Sequence, residues 1–268
     1  MKRITALTII ILIGFSLHAQ DSTATNKSSK ERKEERRQRI NAMIRQEEEG
    51  ALIYNKQSVF GIKLRTNGYG LFYELGRSKS RRKANTYSVE LTEIKDPKEE
   101  KTPTDIFSFT NPYVIGKINN FYQLKFGYGQ QYLFGQKGNK NGIAVTGNYQ
   151  AGISLGLLRP YYLEVDDSTG ARTEIKYSQA DSAEFLDPSL NPSSAGLFKG
   201  WGEVKLKPGI YAMTSLRFDW GHYNEVVSGI EIGFSIEAFT EKIPIILFAP
   251  QRQVFFQGHL ALVFGRRR

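Results

Sequence analysis

Apolar and polar side chains alternate along residues 143–156, whose sequence is IAVTGNYQAGISLG. Odd-numbered positions are mostly apolar, whereas even-numbered positions carry small or polar side chains such as Thr146, Asn148 and Gln150. Because side chains on a β-strand point alternately to its two faces, this pattern predicts a strand with one apolar face. The segment exceeds the roughly 5–6 residues usual in soluble proteins and is long enough for the roughly 9–11 that cross a bilayer.

Seven further segments show a similar pattern, which predicts strands at 58–65, 69–78, 85–94, 119–131, 142–156, 209–219, 226–239 and 253–264. Bacterial outer-membrane barrels have an even number of strands, with eight as the minimum. Closure is needed in lipid because an open sheet edge would leave backbone groups unpaired, at several kcal/mol each. We therefore predict an all-β fold: an eight-stranded antiparallel up-and-down transmembrane β-barrel with an N-terminal periplasmic helical arm.

The predicted connections are mostly short at one end of the barrel and long at the other. Short turns are expected at 79–84, 132–141 and 220–225, and longer loops at 95–118, 157–208 and 240–252. The tight Thr66-Asn67-Gly68 hairpin is an exception at the long-loop end. Since outer-membrane barrels have short periplasmic turns and long outer loops, we assign the short turns to the periplasm.

The two faces of the predicted strands differ in chemistry. The apolar face, which includes Phe60, Ile62, Leu64, Ile232 and Phe234, is expected to meet lipid. Eight charged residues on the opposite face are expected to form a polar network in the lumen: Lys63, Arg65, Glu74, Glu90, Lys125, Arg217, Glu231 and Glu237. An eight-stranded barrel has an interior just wide enough for side chains to fill, so we interpret this set as a packed core, with a conducting pore as the alternative.

Alternation alone does not distinguish a membrane barrel from a soluble lipocalin-like barrel, in which the apolar face would pack inward around a ligand. Aromatic residues near strand ends favour the membrane form, because aromatic girdles mark the two membrane–water interfaces. The candidate girdle residues are Tyr69, Phe121, Tyr122, Tyr128, Trp220 and Phe239.

Before the first strand, the composition divides the chain into two parts. Residues 1–19 resemble a cleaved signal peptide, with Lys2 and Arg3 before an apolar run that is shorter than the roughly 20 residues of a spanning helix; an uncleaved anchor is the alternative. Residues 20–50 form a charged linker and helical arm, with strong helix formers and closely spaced opposite charges. This arm is either a flexible solvated helix or a docking helix that folds on a partner. Residues 51–268 are assigned to the barrel.

Composition excludes several classes of site. The chain has no cysteine, which excludes disulfides, thiolate zinc sites and cysteine nucleophiles. Beyond residue 19 the only histidines are His222 and His259, and we interpret His259 as a packed core residue rather than a catalytic base. The spacing of Glu164, Asp166 and Asp167 matches no calcium loop. We expect no catalytic residue, no metal site and no cofactor, and therefore a protein that is not an enzyme.

The net charge of +10 is unevenly distributed. Residues 164–187 hold seven acidic residues against two basic ones, whereas a basic rim is expected on the periplasmic side: Arg77, Lys79, Arg81, Arg82, Lys83, Arg266, Arg267 and Arg268. Such a rim attracts anionic lipid headgroups at about 1 kcal/mol per residue, or it docks an acidic partner. The expected partners are outer-membrane lipid and a periplasmic or outer-membrane protein; an exported chain is not expected to bind nucleic acid.

The chain resembles the small outer-membrane β-barrels of the Bacteroidota. The resemblance rests on the signal ending HAQ, on FYQLKFGYGQQYLFG and GISLGLLRPYY, and on the last strand FFQGHLALVFG, and it covers residues 51–268. It implies a barrel fold and carries no catalytic residue to this chain. Many outer-membrane proteins end on an aromatic residue, whereas this chain ends on three arginines, so Phe264 would have to supply that signal.

These observations together favour a non-enzymatic barrel that anchors or assists a cell-envelope assembly, with the arm and the basic rim docking its partners. An accessory barrel of a secretion system, as in the type IX system, is a second possibility. An outer-membrane lipid-modifying enzyme or a narrow channel is a third.

Overall fold

The computed structural model describes residues 33–38, 40–41, 54–102, 111–138, 142–166, 170–178, 182–190, 192–222 and 225–268. The predicted signal peptide lies outside these residues. Within the predicted arm, residues 33–38 and 40–41 are described, and they are helical. In the described parts of the chain, no helix combines the length and the apolar character needed to cross a membrane.

Eight long antiparallel strands close into one barrel, as the alternation predicts. Each strand neighbours the previous and next barrel strand in the chain, and the last pairs with the first, so the topology is up-and-down. The strands are β1 (Lys56–Arg65), β2 (Gly68–Ser80), β3 (Lys83–Ile94), β4 (Asn119–Gly135), β5 (Ala144–Pro160), β9 (Lys205–Asp219), β10 (Val226–Ile243) and β11 (Arg252–Arg267).

Between β5 and β9 the chain builds a separate small sheet. It consists of β6 (Tyr162–Asp166), β7 (Arg172–Lys176) and β8 (Ser193–Ser194), in the order β7-β6-β8. A short helix, Ser182–Leu186, packs Phe185 into the apolar core of this sheet. This sheet lies within the connection that the sequence identifies as the longest loop.

The connections follow the predicted division. At the end that we call the turn end, β2, β4 and β9 are joined to the next barrel strands by residues 81–82, 136–143 and 220–225. At the opposite end, the loop end, the connections span residues 95–118, 161–204 and 244–251, together with the two-residue Thr66-Asn67 turn. Long excursions are therefore confined to one end of the barrel.

Burial confirms the orientation of the two strand faces. In β5 the inward side chains Thr146, Asn148 and Gln150 are buried. The outward side chains Tyr149 and Ile153 of the same strand are exposed. The same polarity holds around the barrel, where the exposed apolar residues include Phe60, Ile62, Leu64, Leu91, Leu216, Ile232, Phe234 and Leu262. The lipocalin-like alternative requires the opposite polarity and does not fit this structure.

Apolar side chains fill the interior near the loop end. Phe121 and Phe239 meet edge-to-face at a centroid distance of 5.3 Å, and Phe255 packs against both. Phe121 is fully buried and Phe239 is 3% exposed, so these two predicted girdle residues belong to an internal plug instead. Both continue the inward series of their strands, since Phe121 lies two residues from buried Gln123 and Phe239 two residues from buried Glu237. The girdle assignment relied on their position near strand ends, which does not by itself distinguish the outer wall from the interior. Of the remaining candidates, Tyr69, Tyr128 and Trp220 are exposed and Tyr122 is half-buried.

A row of small residues accommodates Tyr211 in the lumen. Ser88, Gly127, Gly152 and Tyr211 stand side by side on β3, β4, β5 and β9. A methyl group added to Gly127 would lie 2.0 Å from the Tyr211 hydroxyl oxygen. Glycine at this position therefore leaves room for the aromatic ring to cross the two neighbouring strands.

Replacing Gly127 with alanine is expected to destabilise the barrel, because Tyr211 must shift within a filled interior. Overpacking of this kind costs about 1–3 kcal/mol. Gly135→Ala is the matched control, since a methyl group there meets no atom within 4 Å. The midpoint of urea unfolding in detergent should fall for Gly127→Ala and stay near the parent value for Gly135→Ala; equal midpoints for the two variants would contradict the packing argument.

Candidate functional site

The barrel lumen contains a lumen network of eight buried charged residues, and all eight strands contribute charged or polar side chains around it. The eight are Lys63, Arg65, Glu74, Glu90, Lys125, Arg217, Glu231 and Glu237. Four are basic and four are acidic, so the formal charge of the set is zero. Uncompensated buried charges are costly, so this balance accounts for how the lumen can hold so many ionised groups.

One half of the lumen network is centred on Glu90 and Glu237. The Lys63 ammonium donates to Glu90 over 2.6 Å, and Lys125 bridges Glu90 and Glu237 at 2.6 and 2.9 Å. Arg65 completes this half through a 2.5 Å contact from its guanidinium to Glu237. Lys125 and Glu90 face each other on the neighbouring strands β4 and β3, whereas the pairs of Lys63 with Glu90 and of Glu237 with Arg65 and Lys125 connect strands that are not neighbours in the sheet.

The other half is centred on Arg217, whose side chain is 1% exposed. Its guanidinium donates to both carboxylate oxygens of Glu74, at 3.0 and 3.1 Å, and to Glu231 at 2.8 and 2.7 Å. Amide groups satisfy the remaining acceptor capacity, because Gln150 donates to Glu74 and Asn148 donates to Glu231. Glu74 is on β2 and Arg217 on β9, four strands apart in the barrel order, so this pair crosses the full width of the lumen.

His259 lies beside the second half of the lumen network. Its Nε2 atom is 3.6 Å from Oε1 of Glu231, beyond hydrogen-bond range, and its side chain is almost fully buried. A histidine that acts as a base needs a positioned nucleophile within hydrogen-bond reach. His259 is thus a buried residue of the lumen beside Glu231, and its interpretation as a packed core residue stays a prediction. In the described residues, no group of three or more His, Asp and Glu side chains is placed to hold a metal ion.

A third interior pair lies at the turn end and was not anticipated from the sequence. Arg267 forms a salt bridge with Asp219 at 2.7 Å and donates a hydrogen bond to the Gln57 side-chain oxygen over 3.1 Å. Lys137 also turns inward, with its ammonium 3.6 Å from Asp219. Asp219 lies two residues after Arg217 and therefore on the same inward face of β9, so the alternation pattern could have identified it.

The assignment of Arg267 to the basic rim is wrong. Arg267 is 4% exposed and faces the lumen, in alternation with the exposed Arg266 and Arg268.

The other seven predicted rim residues are exposed at the turn end: Arg77, Lys79, Arg81, Arg82, Lys83, Arg266 and Arg268. Arg81 and Arg82 form the β2–β3 turn, whereas Arg77 and Arg266 point outward from the barrel wall. On β2 and β11, the outward residues two positions closer to the barrel centre are Leu75 and Phe264, about 6–7 Å along the strand. The cations therefore begin where the apolar exterior ends.

A shallow groove of about 620 Å³ lies on the outer wall at this boundary. It is lined by Lys56, Arg77, Arg266 and Arg268 together with the apolar faces of Leu75 and Tyr87. No acidic side chain is among its lining residues. The groove thus combines four cations with an apolar wall.

Three acidic residues in the described part of the long loop form ion pairs. Arg172 contacts Glu164 at 3.5 Å and Asp166 at 3.3 Å, and Lys199 pairs with Glu174. Hydrogen bonds from the side chain and then the backbone amide of Ser189 lower the pKa of the Asp187 carboxyl group. Of the three carboxylates considered for calcium, Glu164 and Asp166 pair with Arg172 and brace the loop sheet, and Asp167 lies outside the described residues.

No protein-family model matches the chain, and no curated protein matches it. Among solved structures, Ail, the attachment invasion locus protein of Yersinia pestis, in complex with the heparin analogue sucrose octasulfate, is 11% identical with a TM-score of 0.36; the match covers 81% of this chain and 100% of that one. Neisserial surface protein A is 10% identical with a TM-score of 0.36, covering 80% and 96%. The N-terminal β-barrel domain of Pseudomonas aeruginosa OprF is 8% identical with a TM-score of 0.34, covering 79% and 98%. The barrel assignment rests on the strand pairing of the chain itself.

Arg217→Met is expected to destabilise the barrel strongly, because it leaves Glu74 and Glu231 buried without their cation. Removing one partner from a buried ion pair costs about 3–5 kcal/mol. Unfolding in urea, followed in detergent by far-ultraviolet circular dichroism, should show the loss.

Two further variants control this experiment. Arg252→Met removes an exposed outward arginine at the loop end and should leave the midpoint nearly unchanged. The triple variant Arg217→Met, Glu74→Gln, Glu231→Gln should recover part of the loss, because the remaining side chains are neutral. If Arg217→Met and Arg252→Met have the same urea midpoint of unfolding, the lumen network does not stabilise the barrel.

Proposed function

We propose that this chain is a non-enzymatic outer-membrane barrel that anchors or assists a cell-envelope assembly. The observation that carries the membrane location is the polarity of the barrel. Charged side chains are buried inside while large apolar side chains cover the outside, among them Phe60, Leu64 and Leu71, each 59% exposed. Exposing apolar surface to water costs about 25 cal/mol per Å² of free energy, and this cost is avoided when the surface contacts the hydrocarbon of a membrane.

The outer membrane follows from two properties of the chain. The predicted signal peptide at residues 1–19 directs export, and outer-membrane barrels consist of strands in even number with a minimum of eight. Short turns face the periplasm in such barrels, which puts the basic rim and the arm on the periplasmic side. The resemblance to Bacteroidota barrels agrees with this assignment.

The lumen supports an anchoring role over a transport role. Phe121, Phe239 and Phe255 fill the loop end, and the ion pairs of the lumen network occupy the middle. Asp219 and Arg267 pair near the turn end. A pathway for ions would require these contacts to open, so the proposal is a filled barrel whose interactions occur at its surfaces.

Docking is assigned to the turn end because of its charge. Arg81 and Arg82 project from a tight turn, and Lys79 and Lys83 flank them. Electrostatic complementarity with an acidic protein partner would raise the association rate and select the orientation. The arm at residues 20–50 precedes β1, whose first residues also lie at the turn end, so in this proposal the arm and the rim act on the same side of the membrane.

The membrane location is tested by fractionation and by a heat-modifiability gel. The chain is expected in the outer-membrane fraction, resistant to carbonate extraction, and to migrate faster unboiled than boiled because the closed barrel resists detergent. Glu237→Lys replaces a fully buried acid with a third cation beside Arg65 and Lys125, so it should abolish the fast-migrating form. A soluble chain that migrates identically in both conditions would refute the membrane barrel.

The docking role is tested by quantitative mass spectrometry of proteins that co-purify with the detergent-solubilised chain. Periplasmic partners are expected to be lost from a variant lacking residues 21–49. They should be reduced in a single quadruple variant that combines Lys79→Gln, Arg81→Gln, Arg82→Gln and Lys83→Gln. Arg252→Gln, at the opposite end, should retain them. If the parent chain, the deletion variant, the quadruple variant and Arg252→Gln recover the same partners in the same amounts, neither the arm nor the rim docks a partner.

A further inference from the structure

The segment 196–203, which leads from the loop sheet into β9, presents large apolar side chains outward. Leu197 is 70% exposed, Phe198 is 94% exposed and Trp201 is 49% exposed. Phe198 is the most exposed large apolar side chain among the described residues. A cluster of this kind on a folded surface marks a contact with lipid or with another molecule.

The backbone of this segment is fixed by two glycines and by one side chain. Gly196 and Gly200 have φ values of 88° and 85°, in the left-handed region that glycine adopts without strain. At Gly200 a Cβ atom would also lie 2.9 Å from the backbone oxygen of Pro160. The Trp201 indole nitrogen donates to the Leu197 backbone oxygen over 2.9 Å, which closes the turn that carries Phe198.

The same turn is attached to the outer wall of the barrel. The Trp201 ring stacks on Tyr122 of β4, at a centroid distance of 5.5 Å and an angle of 24°. Arg159 of β5 lies beneath, 5.2 Å from the Trp201 ring and 5.6 Å from the Tyr122 ring, and its guanidinium donates to the Leu197 backbone oxygen. Tyr122 and Arg159 occupy outward positions, because their neighbours Phe121 and Leu158 point into the plug.

A second attachment joins the segment to the loop sheet. Glu203 accepts hydrogen bonds from the Tyr162 hydroxyl at 2.7 Å and from the Lys176 ammonium at 2.6 Å. The hydrogen bond from Lys176 lowers the pKa of the Glu203 carboxyl, so this attachment is present at neutral pH. The exposed side chains are therefore displayed by a braced turn rather than by a free loop.

The apolar exterior of the barrel continues up to this turn. Ile153 on β5 and Ile210 on β9 are 55% and 66% exposed, and Leu206, near the start of β9, is 64% exposed. Leu206 and Ile210 share the outward face of β9, and the braced turn is attached where β4 and β5 end. The apolar surface is thus extended sideways at the loop end, next to the wall that the proposed function assigns to lipid.

We propose that the braced turn is an interfacial membrane anchor in which Leu197 and Phe198 enter the acyl region of the adjacent lipid leaflet. Trp201 and Tyr122 lie at headgroup level, where aromatic rings with a polar edge are favoured. Arg159, sheltered under the indole, holds the turn against the wall. This inference rests on the proposed membrane location of the barrel.

The absence of cysteine permits a site-specific test. Phe198→Cys, labelled with an environment-sensitive nitrobenzoxadiazole dye, is reconstituted in vesicles of phosphatidylcholine and phosphatidylglycerol. Emission should shift to the blue, be quenched by nitroxide-labelled lipid and be protected from aqueous iodide. Correct folding of each labelled variant is checked by its heat-modifiable migration.

Two matched sites calibrate the result. Ile153→Cys, on the barrel wall, reports lipid, and Ser189→Cys, on an exposed loop, reports water. If the dye at 198 behaves as at 153, the anchor is supported. If it behaves as at 189 while the dye at 153 reports lipid, the anchor is wrong and the membrane barrel stands. If the dye at 153 also reports water, the membrane barrel fails, and the anchor fails with it.

Discussion

The fold depends on the pairing of buried charges inside a closed sheet. Arg217 holds two carboxylates at the barrel axis, and its bidentate contact with Glu74 joins strands on opposite sides. Such a contact forms only when every intervening strand has its correct register. The ion pairs therefore do more than tolerate burial: they penalise any barrel with a different shear, because a slipped strand would leave a charge without its partner.

Much of this architecture was predictable from alternation with a period of two residues. It identifies the eight strands and orients Lys63, Glu90 and Arg217 inward, because each has apolar residues on both sides in sequence. It does not specify that Arg217 meets Glu74, since contacts across a lumen depend on tilt and shear, which no local pattern encodes. Alternation continues to the strand ends, where Phe121, Phe239, Asp219 and Arg267 all lie in the inward series of their strands. The residue types near the strand ends instead suggested an aromatic girdle and a basic rim, and for Phe121, Phe239 and Arg267 those assignments are wrong.

The two ends of the barrel differ in the charge and polarity of their exposed side chains. At the turn end, exposed cations begin one outward position beyond the apolar wall, as Leu75 and Arg77 illustrate on β2. At the loop end, several acids of the loop sheet are held in ion pairs, and the braced turn exposes large apolar side chains beside the paired Lys199 and Glu203. A barrel with these ends has an intrinsic direction in the membrane, even though its middle is nearly symmetric in chemistry.

The pairing of β1 with β11 has a consequence for the order of folding. Gln57 is opposite Arg267, and the backbone amides of Asn55 and Lys56 both donate to the Arg268 carbonyl oxygen over 2.8 Å. These contacts join residues separated by almost the whole length of the sheet, and long separations slow folding. The sheet cannot close until β11 is in place, and until then β1 presents an unpaired edge that can pair with another chain.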